Sequence, residues 1–231
     1  MNNKKTIVVV GASRGIGKEI VEQLSQHPDY TILALARNTD AMEQSFGKKT
    51  NVQTAKLDLS QRVAEQLEKI LSEIDSVDVL INNAGFLVSK PFPNVTHEDL
   101  TRSYQVNVIS VMETVQAILP KMEQTGGHIV NISSMGGVQG TVKFPGLSAY
   151  STSKAALCSF TELFAEEYKS SSIKMNCLAL GAAQTEMLNE AFPGYQAPLS
   201  AAEMAAFIVD FSLNGQKWFN GKILPVSLST P

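Results

Sequence analysis

The sequence contains few of the residues from which disulfide frameworks and metal sites are built. Only two of its 231 residues are cysteine, Cys158 and Cys177, and both lie within apolar segments. Buried, reduced thiols are typical of a cytoplasmic protein, and a disulfide between the two is the less favoured alternative. The three histidines, His27, His97 and His128, lie far apart and lack the spacing of metal ligands, so no metal site is predicted.

Long apolar runs and basic clusters are also missing. No segment approaches the ~20 apolar residues of a transmembrane helix, and the short apolar run near the N-terminus cannot form the core of a signal peptide. No basic run exceeds two residues, and the net charge is −3 at pH 7. We therefore expect neither a membrane nor a nucleic acid as partner, and we predict a cytoplasmic location.

Strand-like and helix-like segments alternate along the whole chain. Near-continuous apolar, β-branched runs are typical of buried parallel strands, and the amphipathic stretches between them are typical of helices that cover both faces of a sheet. We predict an α/β protein with a single Rossmann-type, doubly wound domain over residues 1–231 and a central parallel sheet of about seven strands. The predicted strands are Thr6–Val10, Thr31–Ala36, Val52–Lys56, Val77–Ile81, His128–Ile132, Lys174–Leu180 and Ile223–Val226, and the predicted helices are Gly15–Gln26, Gln61–Glu73, His97–Gln124, Ala149–Lys169 and Ala201–Leu213.

Two segments depart from this regular pattern. The predicted helix over 97–124 is unusually long, and Asn107 interrupts its apolar face. Before the last helix, residues 181–199 contain two prolines and two glycines, so we predict a flexible lid over about 182–199 that covers a ligand. The predicted N-caps are Ser60, Thr96 and Ser200.

Three glycines follow the first predicted strand, in the stretch GASRGIG. Gly11 permits a tight turn, Gly15 lets a pyrophosphate approach the backbone, and Gly17 lets the following helix pack closely on the strand. The N-terminus of that helix offers free N–H groups to an anion. The predicted ligand is a dinucleotide; the alternative is a plain strand-to-helix turn that is rich in glycine.

The residues at the end of the second strand indicate which dinucleotide binds. Arg37 follows Ala36 at the position where a carboxylate would hold the ribose 2′-hydroxyl of NAD. Arg14 in the glycine loop can reach the same place, and two guanidinium groups suit a 2′-phosphate. We therefore predict NADP(H), with NAD(H) less favoured; the alternative is that Arg37 is simply solvated.

Several side chains suited to chemistry share one edge of the predicted sheet. Tyr150 and Lys154 stand four apart in YSTSK, on one face of a predicted helix. Ser134 ends the strand before them, and INNAG, residues 81–85, ends the fourth strand. Ligands of parallel sheets bind beyond the carboxyl ends of the strands. Taken singly, the serine is equally well a strand-end cap, and the tyrosine and lysine a helix-surface pair.

Together these motifs resemble the short-chain dehydrogenase/reductase family over nearly the whole chain. The family's glycine motif, its N-N-A-G motif, its helix asparagine, its catalytic serine and its Y-x-x-x-K motif all have matches here. The catalytic residues that the resemblance implies are Asn107, Ser134, Tyr150 and Lys154. The predicted cofactor-binding residues, from the residues themselves and from the resemblance, are Gly11, Ser13, Arg14, Gly15, Ile16, Gly17, Arg37, Asp58, Leu59, Asn83, Ala84, Gly85, Tyr150, Lys154, Gly181, Ala183 and Thr185.

The chemistry of these residue types fits carbonyl reduction. Hydride delivery to a carbonyl creates an alkoxide, which needs a proton donor and hydrogen bonds. Tyr150 is the candidate donor, and the nearby ammonium of Lys154 is expected to lower its pKa. Ser134 would bind the substrate oxygen; the resemblance implies that Lys154 also holds the nicotinamide ribose and that Asn107 anchors a proton-relaying water. We predict an NADP(H)-dependent reductase acting on a carbonyl. The alternative is a non-catalytic redox sensor or regulatory protein on the same fold.

The residues expected around the substrate are apolar and aromatic, which predicts a neutral carbonyl or secondary alcohol. The loop before the fifth strand carries Glu123 where an acidic carrier protein would require basic residues, so carrier-linked substrates rank below free small carbonyls. The predicted lining residues are Phe86, Leu87, Val138, Phe144, Leu147, Met187, Phe192 and Tyr195.

The resemblance also implies a homodimer or homotetramer. Two long helices, over about 101–124 and 149–169, would form the interface. The second offers Leu157, Phe160 and Leu163 as an apolar face, although the same residues would suit the core equally well.

Overall fold

A computed structural model describes residues 4–230, whose strands form one seven-stranded parallel sheet. The strands are β1 Lys5–Val10, β2 Tyr30–Ala36, β3 Val52–Lys56, β4 Val79–Asn82, β5 Gly127–Ser134, β6 Ile173–Leu180 and β7 Ile223–Val226. Their spatial order is β3-β2-β1-β4-β5-β6-β7, and every neighbouring pair is parallel. The predicted doubly wound, Rossmann-type fold is confirmed.

Helices cover both faces of this sheet. They are α1 Gly15–Leu24, α2 Thr39–Phe46, α3 Ala64–Ile70, α4 His97–Tyr104, α5 Ser110–Met122, α6 Ser148–Glu167, α7 Glu186–Ala191 and α8 Ala201–Asn214. Alternate residues of β1 face opposite cores: Ile7 and Val9 pack with α1, α2 and α8, whereas Val8 and Val10 pack with α3, α5 and α6. Because both faces are buried at the centre of the sheet, β1 and β4 are nearly continuous apolar runs. The edge strand β3 is only partly buried.

Two helices near the second and third strands differ from the prediction. Helix α2 was not predicted; its N-cap is Asn38, whose side chain accepts a hydrogen bond from the backbone of Ala41. Helix α3 is shorter than the predicted range 61–73. It begins at Ala64 with Val63 as its N-cap residue, so Ser60 does not cap it, and the Ser60 hydroxyl donates to Asp58 at 2.7 Å. The predicted caps Thr96 and Ser200 both form complete capping boxes.

The predicted long helix over 97–124 is interrupted in its middle. Residues Gln105–Ile109 form a π-helical turn between α4 and α5. Such turns insert an extra residue into the helical ladder and frequently occur at functional sites. Here the turn contains Asn107, which is fully buried.

The order of the strands also fixes where a ligand can bind. The chain runs outward from β1 to β3 on one side and then crosses to β4 on the other, so the carboxyl ends of β1 and β4 flank a topological switch point. Within residues 4–230, no helix combines the length and the apolar character needed to cross a bilayer.

Candidate active site

A cleft of about 460 Å³ opens at this switch point, between the carboxyl edge of the sheet and α7. Most of the predicted site residues line it, which brings the glycine loop, the strand ends and the start of α6 to one place. Gly17, Asp58 and Asn107 lie behind this lining. The predicted residues that line the cleft are Gly11, Ser13, Arg14, Gly15, Ile16, Arg37, Leu59, Asn83, Ala84, Gly85, Ser134, Tyr150, Lys154, Gly181, Ala183 and Thr185.

The glycine loop forms a cradle of exposed backbone. Gly11 has a φ of +90°, and a Cβ there would lie 2.6 Å from the backbone nitrogen of Ala84. A Cβ on Gly17 would overlap the carbonyl oxygen of Gly11, so this glycine allows α1 to pack against the strand. At Gly15, with φ +53°, the nearest atoms to such a Cβ are side-chain atoms at 3.4 Å or more. The backbone is therefore open to a ligand at Gly15 and closed at the other two.

The N-terminus of α1 adds hydrogen-bond donors to this cradle. Arg14 is the N-cap residue, and its side chain makes no capping bond to the helix. The free N–H groups and the positive dipole end of the first turn therefore face the cleft, an arrangement that suits a phosphate group. The residues present fit the pyrophosphate of a dinucleotide.

Tyr150 and Lys154 lie one turn apart on α6, as predicted. The Lys154 Nζ is 5.8 Å from the centre of the Tyr150 ring and donates to the carbonyl oxygen of Ile132 at 2.7 Å. Lys154 is only 2% exposed, and burial lowers its pKa to about 8. Burial raises the pKa of Tyr150 to about 12, and a hydrogen bond with Ser134 opposes that rise.

The expectation that Lys154 lowers the pKa of Tyr150 is therefore wrong for the site as described. Burial disfavours the charged form of both groups, and the hydrogen bond with Ser134 offsets only part of that effect on Tyr150. At neutral pH the phenol is therefore protonated, and the amine beside it is close to its own pKa.

Asn107 clamps the segment that follows β4. Its Oδ1 accepts from the backbone N–H of Phe86 at 2.8 Å, and its Nδ2 donates to the Phe86 carbonyl and to Ser153 Oγ, both at 2.9 Å. A Cβ on Gly85 would lie 3.6 Å from Lys154 Nζ and 3.8 Å from Asn107 Oδ1. Asn107 thus sits beside Lys154 but behind the cleft wall, and the π turn is what points it there.

Three polar residues were predicted around the adenosine part of the cofactor, Asp58, Arg37 and Arg14, and each has different neighbours. The Asp58 carboxylate accepts hydrogen bonds from the Ser60 backbone and hydroxyl; burial raises its pKa, but those bonds and the charge of Arg37 bring the net shift downward. Arg37 lines the cleft. Arg14 does as well, but its Nη1 donates to Glu190 of α7 at 2.9 Å.

Apolar side chains form the wall opposite the glycine loop. Phe144 and Phe192 meet edge to face with ring centres 5.8 Å apart, so the 135–147 segment touches the lid. Val138 and Tyr195 do not line the cleft, contrary to prediction. The Tyr195 hydroxyl instead donates to Ser229 Oγ at 2.9 Å. The predicted residues that do line it are Phe86, Leu87, Phe144, Leu147, Met187 and Phe192.

Sequence reasoning missed two charged residues at the cleft. Arg102 on α4 lies with its guanidinium carbon 4.4 Å from the centre of the Phe86 ring, and Glu186 of α7 reaches over Gly15. Neither belongs to a recognisable motif; for Arg102, only its position one and a half turns before Asn107 could have suggested it. Among residues 4–230, no group of three or more His, Cys, Asp or Glu side chains could hold a metal ion.

Known proteins resemble this chain in both sequence and fold. Residues 5–196 match the family described as short chain dehydrogenase. The chain belongs to this family. It is 30% identical over 190 residues to 3-oxoacyl-[acyl-carrier-protein] reductase FabG of Chlamydia muridarum, covering 79% of this chain and 75% of that protein. It is 34% identical over 194 residues to L-2,3-butanediol dehydrogenase of Corynebacterium glutamicum, covering 79% and 73%.

Solved structures show the same fold. A putative short chain dehydrogenase from Escherichia coli CFT073, complexed with NADPH, has a TM-score of 0.86 at 26% identity and covers 96% of each chain. A 4-hydroxyisoleucine dehydrogenase mutant, complexed with NADH and succinate, has a TM-score of 0.87 at 22% identity and covers 96% of this chain and 97% of that one. Membership of the family supports an oxidoreductase that uses a nicotinamide dinucleotide.

Proposed function

We propose that this protein is an NADP(H)-dependent oxidoreductase that interconverts a carbonyl and a secondary alcohol and works as a reductase. The observation that carries the proposal is the position of Tyr150, beside Ser134 and one turn from the buried Lys154, in the same cleft as the glycine cradle. When bound, the cofactor supplies the hydride. The chain must therefore supply substrate orientation and the proton.

Tyr150 is the proton donor in this proposal. Its raised pKa keeps the phenol protonated at neutral pH, and its hydroxyl shares the cleft with that of Ser134. The two hydroxyls hold the carbonyl oxygen of the substrate, and Tyr150 gives up its proton as negative charge develops on that oxygen. Ser134 stabilises the same charge with a hydrogen bond.

Lys154 and Asn107 restore the proton. With a pKa of about 8, Lys154 is mostly charged at neutral pH and can exchange its proton readily. A charged ammonium also stabilises the phenolate that forms when Tyr150 gives up its proton. Asn107 positions this end of the site through its bonds to Phe86 and Ser153, and we place a proton-relaying water between it and Lys154.

The preference for NADP(H) over NAD(H) rests on charge. Arg37 lines the cleft directly after β2, at the position where a carboxylate would select a ribose 2′-hydroxyl, and Arg14 lies on the facing loop. Solved structures of similar fold include one complexed with NADPH and one with NADH, so the fold itself leaves both cofactors open.

For the substrate, we propose a small, neutral carbonyl that is not linked to a carrier. The meeting of Phe144 with Phe192 gives the pocket an apolar wall, and the names of the relatives include both a carrier-dependent reductase and a butanediol dehydrogenase. Glu123 does not bear on the choice between carrier-linked and free substrates, because it precedes β5 and lies at the amino edge of the sheet, away from the cleft. Firm binding of acyl carrier protein at low salt would contradict this substrate class.

We also propose a homodimer or homotetramer. Leu100, Ile109 and Met112 on α4, the π turn and α5 are at least 37% exposed, and Leu163 on α6 is 67% exposed. Leu157 belongs to the core and Phe160 is partly buried against it, which leaves Leu163 as the exposed residue of the predicted apolar face. Light scattering tests this, and a monomeric mass would refute it.

The deciding experiment follows NADPH absorbance across a panel of aldehydes, ketones, diketones and quinones. Wild type is compared with Tyr150→Phe and with Tyr30→Phe, a matched control at the opposite edge of the sheet. We expect turnover that falls about 10²–10⁴-fold in Tyr150→Phe and stays unchanged in Tyr30→Phe. Tight NADPH binding without turnover of any carbonyl would contradict the enzyme and favour the sensor.

A further inference from the structure

One ion pair ties the glycine loop to the lid. Arg14 Nη1 and Glu190 Oε1 are 2.9 Å apart, and the hydrogen bond from this pair raises the pKa of Arg14. The two residues are 176 positions apart in sequence, and Glu190 belongs to α7. The guanidinium that is best placed on the glycine loop to meet a cofactor phosphate is thus already neutralised by a carboxylate of the chain itself.

This pairing affects the two nicotinamide cofactors differently. A 2′-phosphate that uses Arg14 must displace Glu190 or bind beside its negative charge, and either course costs binding energy. A cofactor with a free 2′-hydroxyl has no phosphate at that position and does not meet this cost. We propose that Glu190 is a specificity-determining residue that reduces the preference of the site for a 2′-phosphorylated cofactor by competing for Arg14. The inference rests on the proposed use of Arg14 for NADP(H).

A second carboxylate on the lid provides an internal comparison. Glu186 Oε2 lies 3.4 Å from the place where a Cβ on Gly15 would stand, so it overhangs the part of the cradle that suits a pyrophosphate. Both cofactors have a pyrophosphate. Glu186 also attracts Arg14, but more weakly than Glu190 does. Removing the charge of Glu186 should therefore change the affinity for both cofactors, with only a small difference between them, whereas removing that of Glu190 should change mainly the affinity that depends on the 2′-phosphate.

The size of the effect follows from exposure. The side chains of Arg14 and Glu190 are 52% and 63% exposed, so water and salt screen the pair strongly. Exposed pairs of this kind correspond to about a 1.5- to 5-fold change in an equilibrium constant. The expected gain in affinity for the phosphorylated ligand lies in this range at low ionic strength and shrinks as salt is added.

The experiment measures binding by calorimetry with two ligands that differ only in the 2′-phosphate, adenosine 2′,5′-bisphosphate and adenosine 5′-monophosphate. The variants are Glu190→Gln, Glu186→Gln and, as an inert control, Glu166→Gln, whose partner Lys169 lies at the end of α6. We expect Glu190→Gln to tighten the bisphosphate about 1.5- to 5-fold and to leave the monophosphate unchanged. The gain in affinity should vanish when Arg14→Gln is also present, because Glu190 and the 2′-phosphate then have no guanidinium for which to compete.

The outcomes separate this inference from the proposed cofactor preference. A wild type that prefers the bisphosphate, with Glu190→Gln shifting neither ligand or both equally, would overturn the inference alone. Absence of any preference in wild type and in Glu190→Gln would overturn both. A preference that appears only in Glu190→Gln would support the role of Glu190 while contradicting the NADP(H) preference of the natural chain. Persistence of the gain in the Arg14→Gln background would also overturn the inference.

Discussion

The clamp at Asn107 allows a sharp prediction for Asn107→Ala. The change removes three hydrogen bonds of 2.8–2.9 Å from a fully buried side chain, two of them to the backbone of Phe86 and one to Ser153. Each bond contributes about 1 kcal/mol, and unpaired buried partners cost more than the average bond returns. We expect the free energy of unfolding to fall by about 3 kcal/mol, which corresponds to a drop in Tm of roughly 6–12 °C for a chain of this length.

Denaturant unfolding of purified variants measures this change, with Ser153→Ala as the graded control. The Ser153 variant removes one of the three bonds and also the bond that the Ser153 hydroxyl donates to the Tyr150 carbonyl, so it should lose about 1–2 kcal/mol. Because Phe86 follows the segment that lies against Lys154, Asn107→Ala should also lower kcat/KM, whereas Ser153→Ala should affect it less. An Asn107→Ala variant within 0.5 kcal/mol of wild type would refute the reasoning that this side chain clamps the segment.

Three further changes test other parts of the molecule. Gly17→Ala should cost about 3 kcal/mol or more and weaken NADPH binding, because its Cβ would overlap the Gly11 carbonyl; wild-type stability in urea would contradict this. Burial lowers the pKa of His128 to about 4, so between pH 6.5 and 4 this histidine is protonated in the unfolded chain but neutral in the folded one. The free energy of unfolding should therefore fall by about 3 kcal/mol as pH falls through that window. His128→Gln should lack this contribution. An equal pH slope in both proteins would count against it. Lys143→Met removes hydrogen bonds to two carbonyls of the 136–138 turn, so it should raise KM more than it lowers kcat in steady-state assays; unchanged KM would be the contrary result.

Patterns that depend on local sequence predicted most of the fold. Apolar runs fixed the seven strands, because a strand buried on both faces needs nearly continuous hydrophobic residues. Helix α2 was missed because its eight residues are too few for its apolar positions to stand out from the loop around them. Ser60 was wrongly predicted as a cap because α3 begins only at Ala64, and the Ser60 hydroxyl instead donates to Asp58.

The residues of the candidate site were foreseeable as types and positions, since glycines, the tyrosine–lysine pair and the serine occur at spacings that the chemistry requires. Their protonation states and their ion-pair partners were not foreseeable. Whether Tyr150 has a raised or lowered pKa depends on burial by residues distant in sequence, and the structure gives the direction opposite to the one expected. The partner of Arg14 could not be predicted from the sequence either, because an ion pair between residues 176 positions apart leaves no local pattern.

The sequence by itself therefore determined the seven strands, most of the helices and the edge of the sheet at which ligands bind, because hydrophobic periodicity and backbone freedom act over a few residues. Only the tertiary structure decided the surroundings of each functional group: the clamp that Asn107 forms through a π turn, the burial that sets the pKa of Lys154, and the lid carboxylates over the glycine loop. Desolvation and charge pairing depend on which distant segments the fold brings together, and no local spacing records that.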